Sequence, residues 1–412
     1  MNVLGIIASG VAALFITVAL AKSARRVALR PHVPNEPGGR APRAEALRRS
    51  GGATAVLGVG TATGVALWLG AADDAAGSVG GLLAGAGTVA ALGLVHDLKP
   101  LRTVLRLGVQ IAAATLVVCL AGLPPAAGVL AALWIVLVTN AFALLDHADG
   151  LLTAVGLVTA AGLLTCALVG GAPALALLPT TLVAGLAGFL LHTWHPARLR
   201  LGAAGAQFTG FALAASGALI QVAAPSGRAA WAALPALATV ALADSTLVLI
   251  SRRRAARSPL RDTDDHIAHR LRRVRVTVPG AAVLTTLWAA VPVATGTLVY
   301  ADLLHPAFLL LPLAGTAAAV FALLRIPAYG RPRTTPPRTG SSRTAPSRTA
   351  AARRTQTSGV GAAIPAAASA PGAKASAQGA PAARTAAGHP TVPPPPTGRP
   401  AAEAAAAAAE RG

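Results

Sequence analysis

The side chains of this chain that could handle protons, metals or phosphates are acids and imidazoles at short spacing. Residues 140–151 read NAFALLDHADGL. Asp146 and Asp149 are three apart, so on helical geometry they share a face. Paired carboxylates can hold Mg2+ against a diphosphate, because a hard cation takes oxygen ligands and keeps some of its waters. Two close acids at a membrane boundary are costly without a partner, which favours function over a solvated turn. Residues 91–110 read ALGLVHDLKPLRTVLRLGVQ, with His96 and Asp97 beside Lys99 and Arg102. A carboxylate and an imidazole at a helix end suit proton transfer or anion handling. Taken alone, helix termination with flanking positive charge accounts for the same letters.

Two further stretches carry candidates. Residues 192–211 read HTWHPARLRLGAAGAQFTGF. Gly202 and Gly205 allow close backbone approach, and a helix from about Gln207 would offer its N-terminus to a phosphate. Residues 244–271 read DSTLVLISRRRAARSPLRDTDDHIAHRL. His266 and His269 with Asp264 and Asp265 have the chemistry of metal ligands, but a zinc site needs more ligands at defined spacing and nothing supplies them. With Arg270 adjacent, the imidazoles better suit an anion such as a sugar-nucleotide phosphate. The Arg252–Arg254 run reads as a topology anchor.

The elements that must position these residues are membrane helices. The chain has 412 residues, 54% hydrophobic and 12% charged. A soluble domain carries about a quarter charged residues. Eleven apolar runs reach the roughly 17 to 25 residues that span a bilayer: 3–21, 53–71, 79–95, 104–121, 126–143, 151–169, 173–191, 207–223, 229–250, 277–299 and 306–325. Backbone groups in lipid must be satisfied within their own segment, so these runs predict helices. The fold class is therefore an all-α polytopic membrane protein with about eleven transmembrane helices. Cys119 and Cys166 lie inside apolar runs and read as small buried hydrophobes.

Orientation follows from Lys and Arg. Segment 22–50 has eight of them and 251–276 has nine, whereas 72–78, 122–125 and 300–305 have none. Basic loops face the cytoplasm. This predicts a multi-pass protein of the plasma (inner) membrane with its N-terminus outside, its first span uncleaved and its C-terminus cytoplasmic. The acids and histidines then gather in or beside the inner loops: His96, Asp97, Asp146, His147, Asp149, His192, His195, Asp244, Asp262, Asp264, Asp265, His266 and His269. Such convergence fits an interfacial enzyme. A transporter places its polar groups near the midplane, where these spans are poor in them. The net charge of +21 does not indicate nucleic acid, because the basic residues form no face beside aromatic platforms. Two domains are expected: residues 1–325 as the membrane domain, and 326–412 as a disordered Pro/Ala/Arg-rich cytoplasmic tail.

Together these loops resemble the polyprenyl-phosphate N-acetylhexosamine-1-phosphate transferase family (MraY/WecA type, glycosyltransferase family 4). The resemblance covers about residues 1–325. Gly51-Gly52 looks like the Gly-Gly that enters the family's second helix, and His96 to Pro100 aligns with its Asp-Asp-x-x-Asp. Asn140 to Gly150 aligns with Asn-x-x-Asn-x-x-Asp-Gly-x-Asp-Gly, matching at Asn140, Asp146, Asp149 and Gly150. Pro196 to Ala206 aligns with Pro-Ala-x-x-x-x-Gly-Asp-x-Gly-Ser, and Asp265 to Leu271 with the histidine loop. The chain departs from the pattern at His96, Pro100, Ala143, His147, Ala203 and Ala206. Ala203 stands where an acid that ligates Mg2+ is expected.

The resemblance implies ten or eleven helices with cytoplasmic catalytic loops. It also implies transfer of a phospho-N-acetylhexosamine from a UDP-sugar to a polyprenyl phosphate, with release of UMP. Asp97, Asp146 and Asp149 would be catalytic, and Asp146 and Asp149 would hold Mg2+. Asn140, His266, His269 and Arg270 would bind substrate. The expected partners are membrane lipid, polyprenyl phosphate, UDP-N-acetylhexosamine and a second copy of the chain. The alternative is a catalytically silent member that binds polyprenyl phosphate or a wall-synthesis protein.

Overall fold

The computed structural model describes residues 3–28, 50–224, 233–256 and 265–326. The chain divides into two compact units, Met1–Pro336 and Pro337–Gly412, and all described residues belong to the first. The expected tail at 326–412 lies outside the described residues apart from Ile326. So do Asp262, Asp264 and part of the run at 229–250.

Twelve α-helices are described. They are α1 (Val3–Ala28), α2 (Ala53–Trp68), α3 (Ala76–Leu98), α4 (Thr103–Leu120), α5 (Pro125–Leu144) and α6 (Leu151–Val169), followed by α7 (Leu177–Thr193), α8 (Gly202–Val222), α9 (Thr239–Arg254), α10 (Ile267–Arg273), α11 (Val278–Tyr300) and α12 (Leu310–Leu324). Among the described residues there are no strands. Ten helical segments are long and apolar enough to cross a membrane. The run at 229–250 is described only from residue 233, where a short helical turn leads into α9. That helix extends past the apolar run through Arg252–Arg254.

The bundle is built around α8. Its apolar stretch is 94% buried, against 28% for α1, α4 and the segment that includes α12. Around it pack α3, α5 and α6, with the short turn Ser50–Gly52, α2 and α7 completing the shell. Burying α8 on all sides requires near contact between backbones. A Cβ on Gly52 would lie 2.0 Å from the Leu201 carbonyl oxygen, and one on Gly93 of α3 would lie 2.6 Å from that of Ala203. Small residues in these seams let dispersion packing replace the hydrophobic effect that lipid does not supply. The outer layer is apolar: Leu4, Trp68, Val104 and Leu311 are exposed, as lipid-facing side chains must be. A few polar contacts pin helices together, among them Thr63 Oγ1 to Thr181 Oγ1 at 2.8 Å, Tyr300 OH donating to the Ile220 carbonyl at 3.2 Å, and Trp288 Nε1 donating to Thr316 Oγ1 at 3.0 Å.

Candidate active site

At one end of the bundle three acids from two connections meet the start of α8. Asp97 sits on the last turn of α3. Its Oδ1 accepts from the Ala203 N–H at 2.9 Å and its Oδ2 from the Ala204 N–H at 3.1 Å. Asp146 follows α5, and its Oδ2 accepts from the Gly202 N–H at 2.9 Å. Asp149 Oδ2 accepts from His195 Nδ1 at 2.8 Å and from the Ala197 N–H at 3.2 Å. The first N–H groups of a helix have no intrahelical partner and carry partial positive charge, so carboxylates are stabilised there. The acids therefore fold the 195–204 segment as well as line it. Gly150, with φ +71°, lets the chain turn from Asp149 into α6.

Two expectations need correction. Asp146 and Asp149 do not share a helix face: residues 145–150 form a turn, and the two carboxylates reach different stretches of 195–202. Helix α8 begins at Gly202, not near Gln207, and its N-terminal N–H groups already face Asp97 and Asp146. The helix start is thus not an open phosphate cradle.

Burial dominates the local electrostatics. Burial pushes the Asp146 carboxyl up to about 7. Arg200 and the Gly202 N–H hold it down, while Asp97 and Asp149 raise it further. Arg200 also donates to the Asp146 carbonyl. Exposed Lys99, Arg102, Arg198 and Arg200 lie on the same connections as the acids. Arg106 Nη1 lies 3.4 Å from His96 Nε2, and His96 Nδ1 accepts from the Leu101 N–H at 2.9 Å, closing the turn after α3. The hydrogen-bond pattern assigns the Gln207 amide oxygen to the side facing Arg106, 3.1 Å from its Nε.

A second cluster adjoins the first through the 145–150 turn. His147 and His266 stack with centroids 3.9 Å apart and planes 17° apart, and the His269 ring lies 5.1 Å from that of His147. Buried Asp244 accepts from His266 Nδ1 at 2.8 Å and from the Ile267 N–H at 2.7 Å, which caps α10.

The family model described as Glycosyl transferase family 4 matches residues 79–221, the stretch that supplies all three acids and α8. A Streptomyces coelicolor protein named as a glycosyltransferase is 42% identical over 290 residues, covering 69% of this chain and 68% of the relative. The chain belongs to glycosyl transferase family 4. A Bacillus subtilis protein, named as an undecaprenyl-phosphate N-acetylglucosaminyl 1-phosphate transferase, is 34% identical over 84 residues. That match covers 20% of this family 4 chain and 24% of the relative.

Two carboxylates of this family 4 member, Asp146 and Asp149, offer the class of oxygen donor that Mg2+ takes. Asp146 and Asp149 each use Oδ2 on N–H donors, which leaves Oδ1 of each as a hard oxygen donor. Mg2+ is commonly held by one or two carboxylates plus substrate phosphates and water. Position 203 contributes only backbone, since Ala203 has no side-chain oxygen.

The other expected residues fall elsewhere. His266 and His269 lie in the second cluster. Asn140 Nδ2 donates to Gln110 Oε1 at 2.7 Å and to the Val136 carbonyl at 2.8 Å, so it ties α5 to α4. Arg270 is 2% exposed and turns away from the acids. It donates to the carbonyls of Asp265, Leu323 and Ile326 and to Ser251 Oγ, fastening α12 to α9 and α10. Arg252, expected as a topology anchor, is buried and pairs with Asp265 at 3.1 Å. Gln110 and Arg106 are not singled out by the sequence, and Gln207 figures there only as an expected helix start. Their signal was a polar side chain inside an apolar run, which marks the interior of a bundle.

Proposed function

We propose that this family 4 glycosyl transferase moves a phospho-N-acetylhexosamine from a UDP-sugar to a polyprenyl phosphate at the inner face of the plasma membrane. A phosphate oxygen of the lipid attacks the phosphorus that bears the sugar. The bond from that phosphorus to the UMP oxygen breaks, and UMP leaves as the sugar-diphospholipid forms. The observation that carries the reading is the convergence of Asp97, Asp146 and Asp149 on the 195–204 segment, ringed by exposed cations. The relatives' names favour the same class of chemistry.

In this reading each group has a distinct task. Lys99, Arg102, Arg198 and Arg200 hold the phosphates of both substrates by charge. Asp97 fixes the start of α8 and keeps the pocket in register. Asp149, oriented by His195 and Ala197 and 31% exposed at its side chain, is the acid most open to substrate. Asp146 and Asp149 would hold Mg2+. When bound, the ion neutralises charge that builds on the diphosphate, the main need in phosphoryl transfer. The positive-inside pattern supports a cytoplasmic site, an external N-terminus and an internal C-terminus.

The test is transfer of label from UDP-N-acetylglucosamine, with the sugar-bearing β-phosphate labelled, into solvent-extractable lipid by purified protein supplied with polyprenyl phosphate and Mg2+. Lipid-linked label above a protein-free blank is the expected result. No label, with an active family member run in parallel, would reject the transferase reading.

A second reading has its own observation. Both oxygens of Asp97 and one each of Asp146 and Asp149 already serve the fold, and Ala203 replaces an expected ligand. This favours a silent member that binds polyprenyl phosphate without turning over.

A further inference from the structure

Zinc ligation looked unsupported in the sequence because the histidine loop lacks enough ligands of its own. The fold supplies the others from a distance. Donor atoms of His147, Asp244 and His266 lie within 4.8 Å of one another, the one such set of three among the described residues. They come from the turn after α5, from α9 and from the residue before α10.

The tautomers point the same way. His147 Nδ1 lies 2.9 Å from the Leu144 carbonyl, which can only accept, so Nδ1 carries the proton. His266 Nδ1 lies 2.8 Å from the Asp244 carboxylate, whose other oxygen takes the Ile267 N–H. A neutral ring with its proton on Nδ1 carries its lone pair on Nε2. His147 Nε2 is buried and has no hydrogen-bond partner. Leaving such an acceptor unsatisfied is unfavourable, and each such atom in a native structure calls for an explanation. Histidines that ligate metals commonly donate their other N–H to a carboxylate or carbonyl, which is the arrangement seen at both rings. The His269 ring lies 6.0 Å from that of His266, at the edge of the cluster.

We infer that His147 and His266, with Asp244 behind His266 and His269 beside them, form a binding site for a divalent transition-metal ion of the zinc class. Imidazole nitrogen suits Zn2+ and its neighbours in the first transition row, not Mg2+. The rings are parallel, so ligation requires them to rotate until the two Nε2 lone pairs converge. The ion would clamp the turn that carries Asp146 and Asp149 to α9 and α10. It is separate in donors and in chemistry from the Mg2+ reading, and neither depends on the other.

The experiment uses the full chain in detergent, purified without a histidine tag and stripped with a chelator. Co2+ is titrated in and visible ligand-field absorption is recorded. Zn2+ is then measured by equilibrium dialysis with elemental analysis, Mg2+ being present in excess throughout. One ion per chain is expected, with tetrahedral-type Co2+ bands that Zn2+ removes. His147→Ala and His147→Asn should both abolish the bands. Asp244→Asn should weaken affinity about ten- to a hundredfold. His305→Ala, at an exposed position, should bind as the wild type does. Zn2+ should also raise the melting temperature of the wild type and leave that of His147→Asn unchanged. Binding by wild type no greater than by the His147 variants, or full competition by Mg2+, would overturn the site. If the alanine variant does not fold, the asparagine variant decides.

Discussion

Asp97 and Ala203 lie 106 residues apart in the chain and meet through a 2.9 Å hydrogen bond, the Ala203 N–H donating to Asp97 Oδ1. The Ala204 N–H takes the other oxygen at 3.1 Å. A single carboxylate thus caps the central helix of the bundle from a neighbouring helix. Gly93, one turn earlier on α3, makes the approach possible by having no Cβ to strike the Ala203 carbonyl.

Replacing Asp97 should therefore cost stability as well as activity. Asp97→Ala leaves two N–H groups at the α8 start without acceptors. The expected loss is about 2 kcal/mol, the size of a lost cap with charged hydrogen bonds. Asp97→Asn keeps one acceptor and should lose less. Thermal melting in detergent would show it. An unchanged melting temperature for Asp97→Ala would show that this bond does not hold α8.

The pairing of Gly52 with the start of α8 makes a sharper forecast. A methyl group on Gly52 would lie 2.0 Å from the Leu201 oxygen and 2.8 Å from the Gly205 Cα. Both neighbours are backbone and cannot rotate away. Gly52→Ala should cut the yield of folded protein severely. Gly60→Ala, where a Cβ meets nothing within 4 Å, should be neutral or stabilising by up to about 1 kcal/mol. Equal yields for the two variants would refute the close seam.

Arg270 should behave as a structural residue. Among the described residues its guanidinium donates to three backbone carbonyls and to Ser251 Oγ. Leaving buried acceptors unsatisfied costs about 1–3 kcal/mol each. Arg270→Ala should reduce folded protein, with the surviving fraction keeping the KM of the wild type for UDP-sugar. A stable variant with a raised KM would return Arg270 to the substrate.

The Mg2+ reading turns on a missing oxygen. Chelation of divalent ions should stop transfer, and Mg2+ should restore it. Ala203→Asp adds a carboxylate beside Asp97, where the resemblance expects one. It should lower the Mg2+ concentration needed for half-maximal transfer. A variant that needs more Mg2+, or transfer that survives chelation, would argue against a cation held by Asp146 and Asp149.

The membrane plan was readable because apolar run length is fixed by bilayer thickness and survives any packing detail. The acids were readable as well, since Asp97, Asp146 and Asp149 are conspicuous beside apolar runs. Their partners were not. Asp146 and Asp149 looked like a helical pair, yet each reaches a segment 46 to 56 residues away, which no local spacing rule reports. His147 stands in the sequence among the inner-loop imidazoles and as a departure from a glycine, and its neighbours Asp244 and His266 are brought next to it only by the fold. Arg270 looked like an anion binder because it is a cation near imidazoles. Three of its acceptors are backbone carbonyls, which are identical at every residue and leave no mark in a sequence.

The most direct measurement is the rate of UMP release from UDP-N-acetylglucosamine by the wild type and by Asp149→Asn, with polyprenyl phosphate and Mg2+ present. The wild type should release UMP only when the lipid phosphate is present. Asp149→Asn should fall by about a hundredfold or more, the usual size of a lost electrostatic contact in a reacting site, while melting close to the wild type. Release that ignores the lipid, or an Asp149→Asn variant as fast as its parent, would contradict the account.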